Sequence, residues 1–165
     1  MGVQSVARIL FACALALAAP AAQADFTGKV IGVADGDTIT VLDSNRQQHK
    51  IRLAGIDAPE RGQAFGFRSK ENLAKWVYDR DAVIEGTKKD RYGRLVAKVI
   101  VDGHDAGLEQ VRAGLAWWYR AYAKEQTPDD RKLYELAEMQ AREQKRRLWR
   151  DPEPVPPWEW RKEKR

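Results

Sequence analysis

An α+β fold, a small five-stranded β-barrel with three α-helices packed on it, is what the order of apolar patterns along this chain predicts. Three short strand-like runs come first, then a helical pattern, two more strands and two further helical patterns. Five short strands joined by tight turns bury one face most simply by curving into a closed sheet, and the helices cover the apolar surface that remains.

Phe26–Val33 opens the series and is rich in Val and Ile. The turn "ADGD" leads to Thr38–Leu42, and "DSN" leads to Gln48–Leu53, where His49, Ile51 and Leu53 share one face and Lys50 and Arg52 the other. Asp35-Gly36 is a common turn pair, yet a turn alone gives no reason for Asp37. After "GIDAPERGQAFG" a helix is expected over Phe67–Tyr78, with Leu73, Trp76 and Val77 as its apolar side. Strands at Ala82–Glu85 and Arg94–Val101 flank the turn "KKDRYGR", and Asp105 stands where it can cap a short helix over Ala106–Ala113. The last helix is signalled by Thr127 as N-cap, Pro128 at the first helical position and Asp130 three residues on; its apolar stripe is Leu133, Leu136, Ala137, Ala141 and Leu148. Its basic end, "KRRLWR", suits the negative pole of the helix dipole. Prolines in "DPEPVPPWEWRKEKR" stop that helix, so the tail is expected to lie extended over the body, held by Trp158 and Trp160.

Residues 1–24 read as a secretory signal peptide: a lone Arg8, an apolar run over Ile9–Ala19, and "AQA" before Asp25. A membrane anchor is the competing reading, but the run is shorter than the roughly 20 residues that span a bilayer. Lipid attachment at Cys13 is a weaker alternative, because "LFAC" lies inside the apolar run. Cleavage after Ala24 removes the only cysteine, which excludes an internal disulfide and a cysteine-ligated metal and suits a secreted or periplasmic setting. The remainder is enough for one core, organised as a domain over 25–150 and a basic Pro/Trp-containing tail over 151–165. A formal net charge of +5 slightly favours a polyanionic partner.

Asp37 follows the first turn and Asp57, in "RLAGIDAPE", ends the third strand; if those strands are neighbours the two carboxylates converge at one rim. Oxygen ligands without His or Cys select Ca2+ or Mg2+ over zinc or copper. Arg52 precedes Asp57, Glu60 follows it, and Pro59 biases Ala58 to an extended backbone. Taken singly, Asp37, Asp57, Arg52 and Arg94 read as turn or solvated strand residues, and Trp76, Trp117, Trp118 and Trp149 as core. His49 and His104 have no partner at metal-ligand spacing.

Three motifs in order, "DGDT" at Asp35–Thr38, "RLAGIDAPE" at Arg52–Glu60 and "DRYGR" at Asp90–Arg94, resemble the thermonuclease family of micrococcal or staphylococcal nuclease homologues. "GLAWWYRAY" and the closing helix extend the likeness over nearly all of the chain after the leader. The resemblance implies an OB-like barrel, with Asp37 and Asp57 as calcium ligands and the backbone carbonyl of Ala58 and waters completing the shell. It implies Arg52 and Arg94 as phosphate-binding arginines and Glu60 as the carboxylate beside the attacking water. Tyr92 resembles the family's tyrosine on a substrate phosphate, and Tyr122 the one beneath a base. This chain departs from the pattern in three places: Ala58 replaces a threonine, the basic loop is reduced to "RGQAFGFRSK", and Arg120 stands where a second base-side tyrosine would be.

The expected function is that of a secreted or periplasmic, monomeric, Ca2+-dependent endonuclease. It acts on DNA and RNA, favours single-stranded or opened substrate, has low sequence selectivity and, as the resemblance implies, leaves 3′-phosphate and 5′-hydroxyl ends. Two alternatives stay open: a catalytically silent nucleic-acid-binding module on the same barrel, and a barrel that binds protein or carbohydrate with no calcium effect.

Overall fold

The computed structural model describes residues 25–164, so the expected leader and Cys13 lie outside the described residues. β1 (Phe26–Val33), β2 (Thr38–Asp43) and β3 (Gln48–Leu53) form an antiparallel meander in which Thr38 faces Arg52 and Ile39 faces Ile51. A two-residue strand β4 (Ile56–Asp57) and helix α1 (Gly66–Val77) follow, then β5 (Asp81–Lys89) and β6 (Leu95–Val101). β5 runs antiparallel to both β1 and β6, and β6 runs parallel to β3, which closes β3-β2-β1-β5-β6 into a five-stranded barrel. Parallel neighbours cannot be joined by a hairpin; the passage through α1 and β5 supplies the length.

Strand alternation decides what fills the barrel. Every second residue of β6, namely Leu95, Ala97, Val99 and Val101, is buried, and meets Val30, Ile39, Val41, Ile51 and Ile84 from the other strands. β5 extends past the expected end at Glu85 because Gly86 does not break it. A Cβ on Gly86 would lie 2.4 Å from the Val96 carbonyl oxygen, so the glycine admits close approach of β6 at an irregularity in the register.

β7 (His104–Asp105) leads into α2 (Ala106–Arg112), where Asp105 is the N-cap as expected, accepting from the Gly107 and Leu108 amides. β8 (Trp117–Trp118) pairs with β4, setting Trp117 opposite Asp57. α3 (Pro128–Glu143) begins at Thr127, whose hydroxyl accepts from the Asp130 amide. Its buried face differs from the expected stripe. Leu133 and Leu136 are exposed, and the face turned inward is Tyr134, Ala137, Glu138 and Ala141. Two of those four are polar, and each has a buried task. The Tyr134 hydroxyl donates to Asp105, while Glu138 accepts from the Trp118 amide and pairs with Arg120 at 2.7 Å.

The tail is also different from expectation. Residues Pro157–Glu163 form a helix, α4, and Pro157 sits at its first position, where a proline starts a helix as readily as it stops one. Pro157 is buried, and the Trp158 ring stacks on Tyr119 at 5.3 Å and meets the edge of Trp117 at 6.4 Å. Trp117, Trp118 and Trp149 are buried, as their core reading requires.

Candidate active site

The loop between β1 and β2 is built from below by neutral groups. Asp35 accepts from the Asp37 amide at 3.0 Å, the side chain-to-backbone bond that favours Asp in such turns. Gly36 is required for a reason other than turn geometry. A Cβ there would lie 1.9 Å from Ser69 Oγ and 2.8 Å from the Ala58 methyl, so only glycine lets the loop rest on α1. The Gly36 carbonyl accepts from Gln110 Nε2 at 2.8 Å, and the same nitrogen reaches the Ser69 carbonyl at 2.9 Å. Gln110 is fully buried on α2, and its Oε1 accepts from Asn72 on α1. Nothing in the sequence pattern marked Gln110 or Ser69, because each reads alone as an ordinary helix residue.

Charged groups converge on the upper side of that loop. Asp37 Oδ2 accepts from the Ala58 amide at 2.8 Å and pairs with Arg52 Nη1 at 3.0 Å, while its Oδ1 accepts from the Thr38 hydroxyl. Arg52 Nη2 donates to Asp57 Oδ1 at 2.9 Å. One guanidinium thus bridges both carboxylates, a result of the Thr38–Arg52 register and of the β4–β8 pairing that anchors Asp57. Asp57 is only 1% exposed. Arg94, on the far side of Thr38, donates Nε to Asp90 at 2.7 Å and Nη1 to Thr38 Oγ1 at 3.3 Å. Burial pushes Asp90 up, but Arg94 and the backbone amides of Arg94 and Tyr92 hold it below its ordinary range. The exposed ring of Tyr92 lies 5.4 Å from the Arg94 guanidinium. Tyr122, also exposed, stands apart from this set, with its ring against Tyr119 and Lys88.

Glu60 joins the cluster through a residue that sequence reading passed over. Arg161, on α4, donates Nη1 to Glu60 Oε1 at 2.6 Å and Nη2 to Asp57 Oδ2 at 2.7 Å. In the sequence it is one of several basic residues near the chain end. The available signal was Pro157 as a helix start with Trp158 and Arg161 three apart on one face. Glu60 is otherwise set by Gln63, whose Oε1 accepts from the Glu60 amide and whose Nε2 donates to the Val155 carbonyl.

The electrostatics favour added positive charge. Asp35, Asp37, Asp57 and Glu60 outnumber the guanidiniums of Arg52 and Arg161 between them. Burial, with the charge of Asp37, pushes Asp35 up to about 6; burial also raises Asp57, although Arg161 and Arg52 oppose it. The donor set is all oxygen, which fits a hard divalent cation. Among the described residues no three His, Cys, Asp or Glu side chains gather into a metal-holding group, so a cation here would rest on Asp37 and Asp57 with the Ala58 carbonyl and water. A nearby cleft of about 530 Å³, lined by Trp117, Tyr119, Arg120, Trp149 and Trp158 among others, contains none of these acids.

An OB-like barrel whose rim gathers paired acids, two arginines and a glutamate defines the class: a small phosphodiester-handling nuclease domain. The chain belongs to the staphylococcal nuclease homologue family, whose model matches residues 50–151. It is 40% identical over 164 residues to a micrococcal nuclease of Shigella flexneri, spanning 94% of this chain and 91% of that one. An uncharacterized endonuclease of Escherichia coli is 40% identical over 146 residues, 88% and 91% of the two chains. One from Haemophilus influenzae is 37% identical over 139 residues, 84% and 75%.

Proposed function

We propose that this protein is a secreted or periplasmic Ca2+-dependent endonuclease that hydrolyses DNA and RNA with low sequence selectivity. Single-stranded or opened strands are the preferred substrate, and the ends left are 3′-phosphate and 5′-hydroxyl. The observation that carries the reading is the bridge of Arg52 between Asp37 and Asp57, with Glu60 beside it. Family membership and the nuclease names of the relatives support it.

The chemistry follows from charge. Water must attack a phosphorus that already carries negative charge, and that charge grows on the equatorial oxygens in the transition state. Arg52 and Arg94 offer planar, permanently charged forks that match phosphate oxygens in pairs. Asp37, Asp57 and the Ala58 carbonyl would hold a calcium ion, which would supply further positive charge to compensate the phosphate. Glu60 accepts the proton of the attacking water, the new P–O bond forms, and the bond to the 5′-oxygen breaks as that oxygen takes up a proton from solvent water. Contacts to phosphate rather than base edges give low selectivity. Tyr92 and Tyr122, exposed, offer a phosphate contact and a stacking face to a single strand.

The test is digestion of single-stranded DNA and RNA by the Asp25–Arg165 chain with Ca2+, with Mg2+ and with chelator, beside Glu60→Ala. Cleavage in calcium that the variant lacks is the expected result. Salt-sensitive binding without cleavage would replace this reading with a silent binding module.

A further inference from the structure

We propose that α4 is a built-in competitor of the cation: with the helix docked, Arg161 closes the Asp57 and Glu60 carboxylates, and cation loading drives it off. The inference rests on the calcium reading above and adds a regulator to that site. Arg161 Nη2 lies 2.7 Å from Asp57 Oδ2, and Nη1 lies 3.2 Å from Asp57 Oδ1 and 2.6 Å from Glu60 Oε1. Asp57 Oδ1 also carries Arg52, so both oxygens of the buried ligand candidate are taken by guanidinium groups. A divalent cation competes with those guanidiniums for the same two oxygens and their negative charge. The Arg161 side chain is 41% exposed while that of Asp57 is 1% exposed, which places the arginine at the mouth of the site and the acid behind it.

The way α4 is attached suits release. Seven residues are too few for a helix to persist alone in water, where isolated helices need about 12–15 residues, so α4 exists only while docked. Its anchors are the Trp158 stack on Tyr119, the buried Pro157 and the Gln63–Val155 hydrogen bond. Gln63 also holds the Glu60 amide, which ties the strap to the loop that carries the proposed base. Among the described residues none of the barrel's strand pairings involves α4, so it can leave without disturbing the sheet. Docked, Arg161 neutralises Glu60 as well as Asp57, and the cation-free protein is held in an inactive arrangement. By linkage, whatever Arg161 costs the cation in affinity, the cation costs Arg161 in docking.

Calorimetric Ca2+ titration of the Asp25–Arg165 chain tests this beside Arg161→Gln and Trp158→Ala. The second variant weakens docking while keeping the charge of Arg161. Both are expected to bind calcium roughly tenfold more tightly than the parent, as loss of a modest closed-state bias predicts. In the parent, calcium is expected to raise amide hydrogen exchange across residues 155–163. Unchanged or weaker calcium binding in Arg161→Gln overturns the proposal and makes Arg161 a phosphate ligand or structural pair instead. Tightening in Arg161→Gln alone reduces it to a charge effect and also overturns it. Binding by the parent with either of those results leaves the nuclease reading standing, whereas no calcium binding by any of the three proteins removes that reading and this one together.

Discussion

Asp57 and Asp105 are both buried carboxylates that burial pushes above their ordinary range, yet their partners are of different kinds. Asp105 accepts from the Gly107 and Leu108 amides and from the Tyr134 hydroxyl at 2.8 Å. Lys98 stands 3.9 Å from it and 2.7 Å from Asp130. These donors lie in α2, α3 and β6, elements that fold together and have nothing to exchange with. Asp57 instead faces Arg52 and Arg161, two guanidiniums at a barrel rim, one of them on α4. A buried acid satisfied by backbone amides and a phenol contributes to folding. One satisfied by guanidiniums can trade them for a cation and a phosphate.

Removing Arg94 and removing the phenol are therefore expected to fail in opposite ways. The largest effect is on catalysis: Arg94→Ala, which removes a side chain that meets Asp90, Thr38 and the exposed Tyr92 ring, is expected to stay folded and lose at least ~10²–10³ in rate. Initial rates on single-stranded DNA beside a thermal melt check this, and retained activity would reject the assigned role. Arg52→Ala should lose rate similarly and also lower stability in chelator by on the order of 3 kcal/mol, because Asp37 and Asp57 lose their shared bridge. Calcium should restore part of that loss in a urea titration; if it does not, the acids are no cation site.

Tyr134→Phe is the counterpart on the structural side. It is expected to cost about 1–3 kcal/mol through the unpaired Asp105 oxygen, with initial rate unchanged. A large rate loss would erase the distinction between the two clusters. The smallest effect is in pH dependence. Because the folded-state value of Asp105 lies above its unfolded value, the folded form binds more protons between the two, and its contribution to stability falls as pH rises through that window. Asp105→Asn keeps a capping oxygen but cannot titrate. Its stability relative to the parent should therefore climb from acid toward neutral pH, as denaturant melts at a series of pH values would show.

Much of the fold was legible because local signals agreed with each other. Alternation in β3, the caps at Asp105 and Thr127 and the turn residues all act within a few residues, and the structure has them. The inward face of α3 keeps Ala137 and Ala141 of the expected stripe but takes Tyr134 and Glu138 in place of Leu133 and Leu136, which outrank them in hydropathy. What buries Tyr134 and Glu138 is Asp105, Trp118 and Arg120, partners 18 or more residues distant. The structure brings Asp37, Arg52, Asp57, Ala58 and Glu60 together and links Arg94 and Tyr92 to them, while Tyr122 is set apart. Gln110 carries no local signature, being a glutamine in a helix, and Arg161 was hidden among the basic residues of the tail, where only Pro157 as a helix start pointed to its face.

By itself the sequence determined the barrel strands, the starts of α1, α2 and α3 and the motif residues that assign the family, since periodicity, caps and turn chemistry depend on neighbours in the chain. The tertiary structure alone decided that Gly36 is needed for packing on Ser69, that Gln110 supports the acid loop from beneath, and that Arg161 returns across 104 residues to Asp57. Those facts are pairings of groups far apart in the chain, and a hydrogen bond or ion pair exists only where the fold brings both partners within about 3 Å.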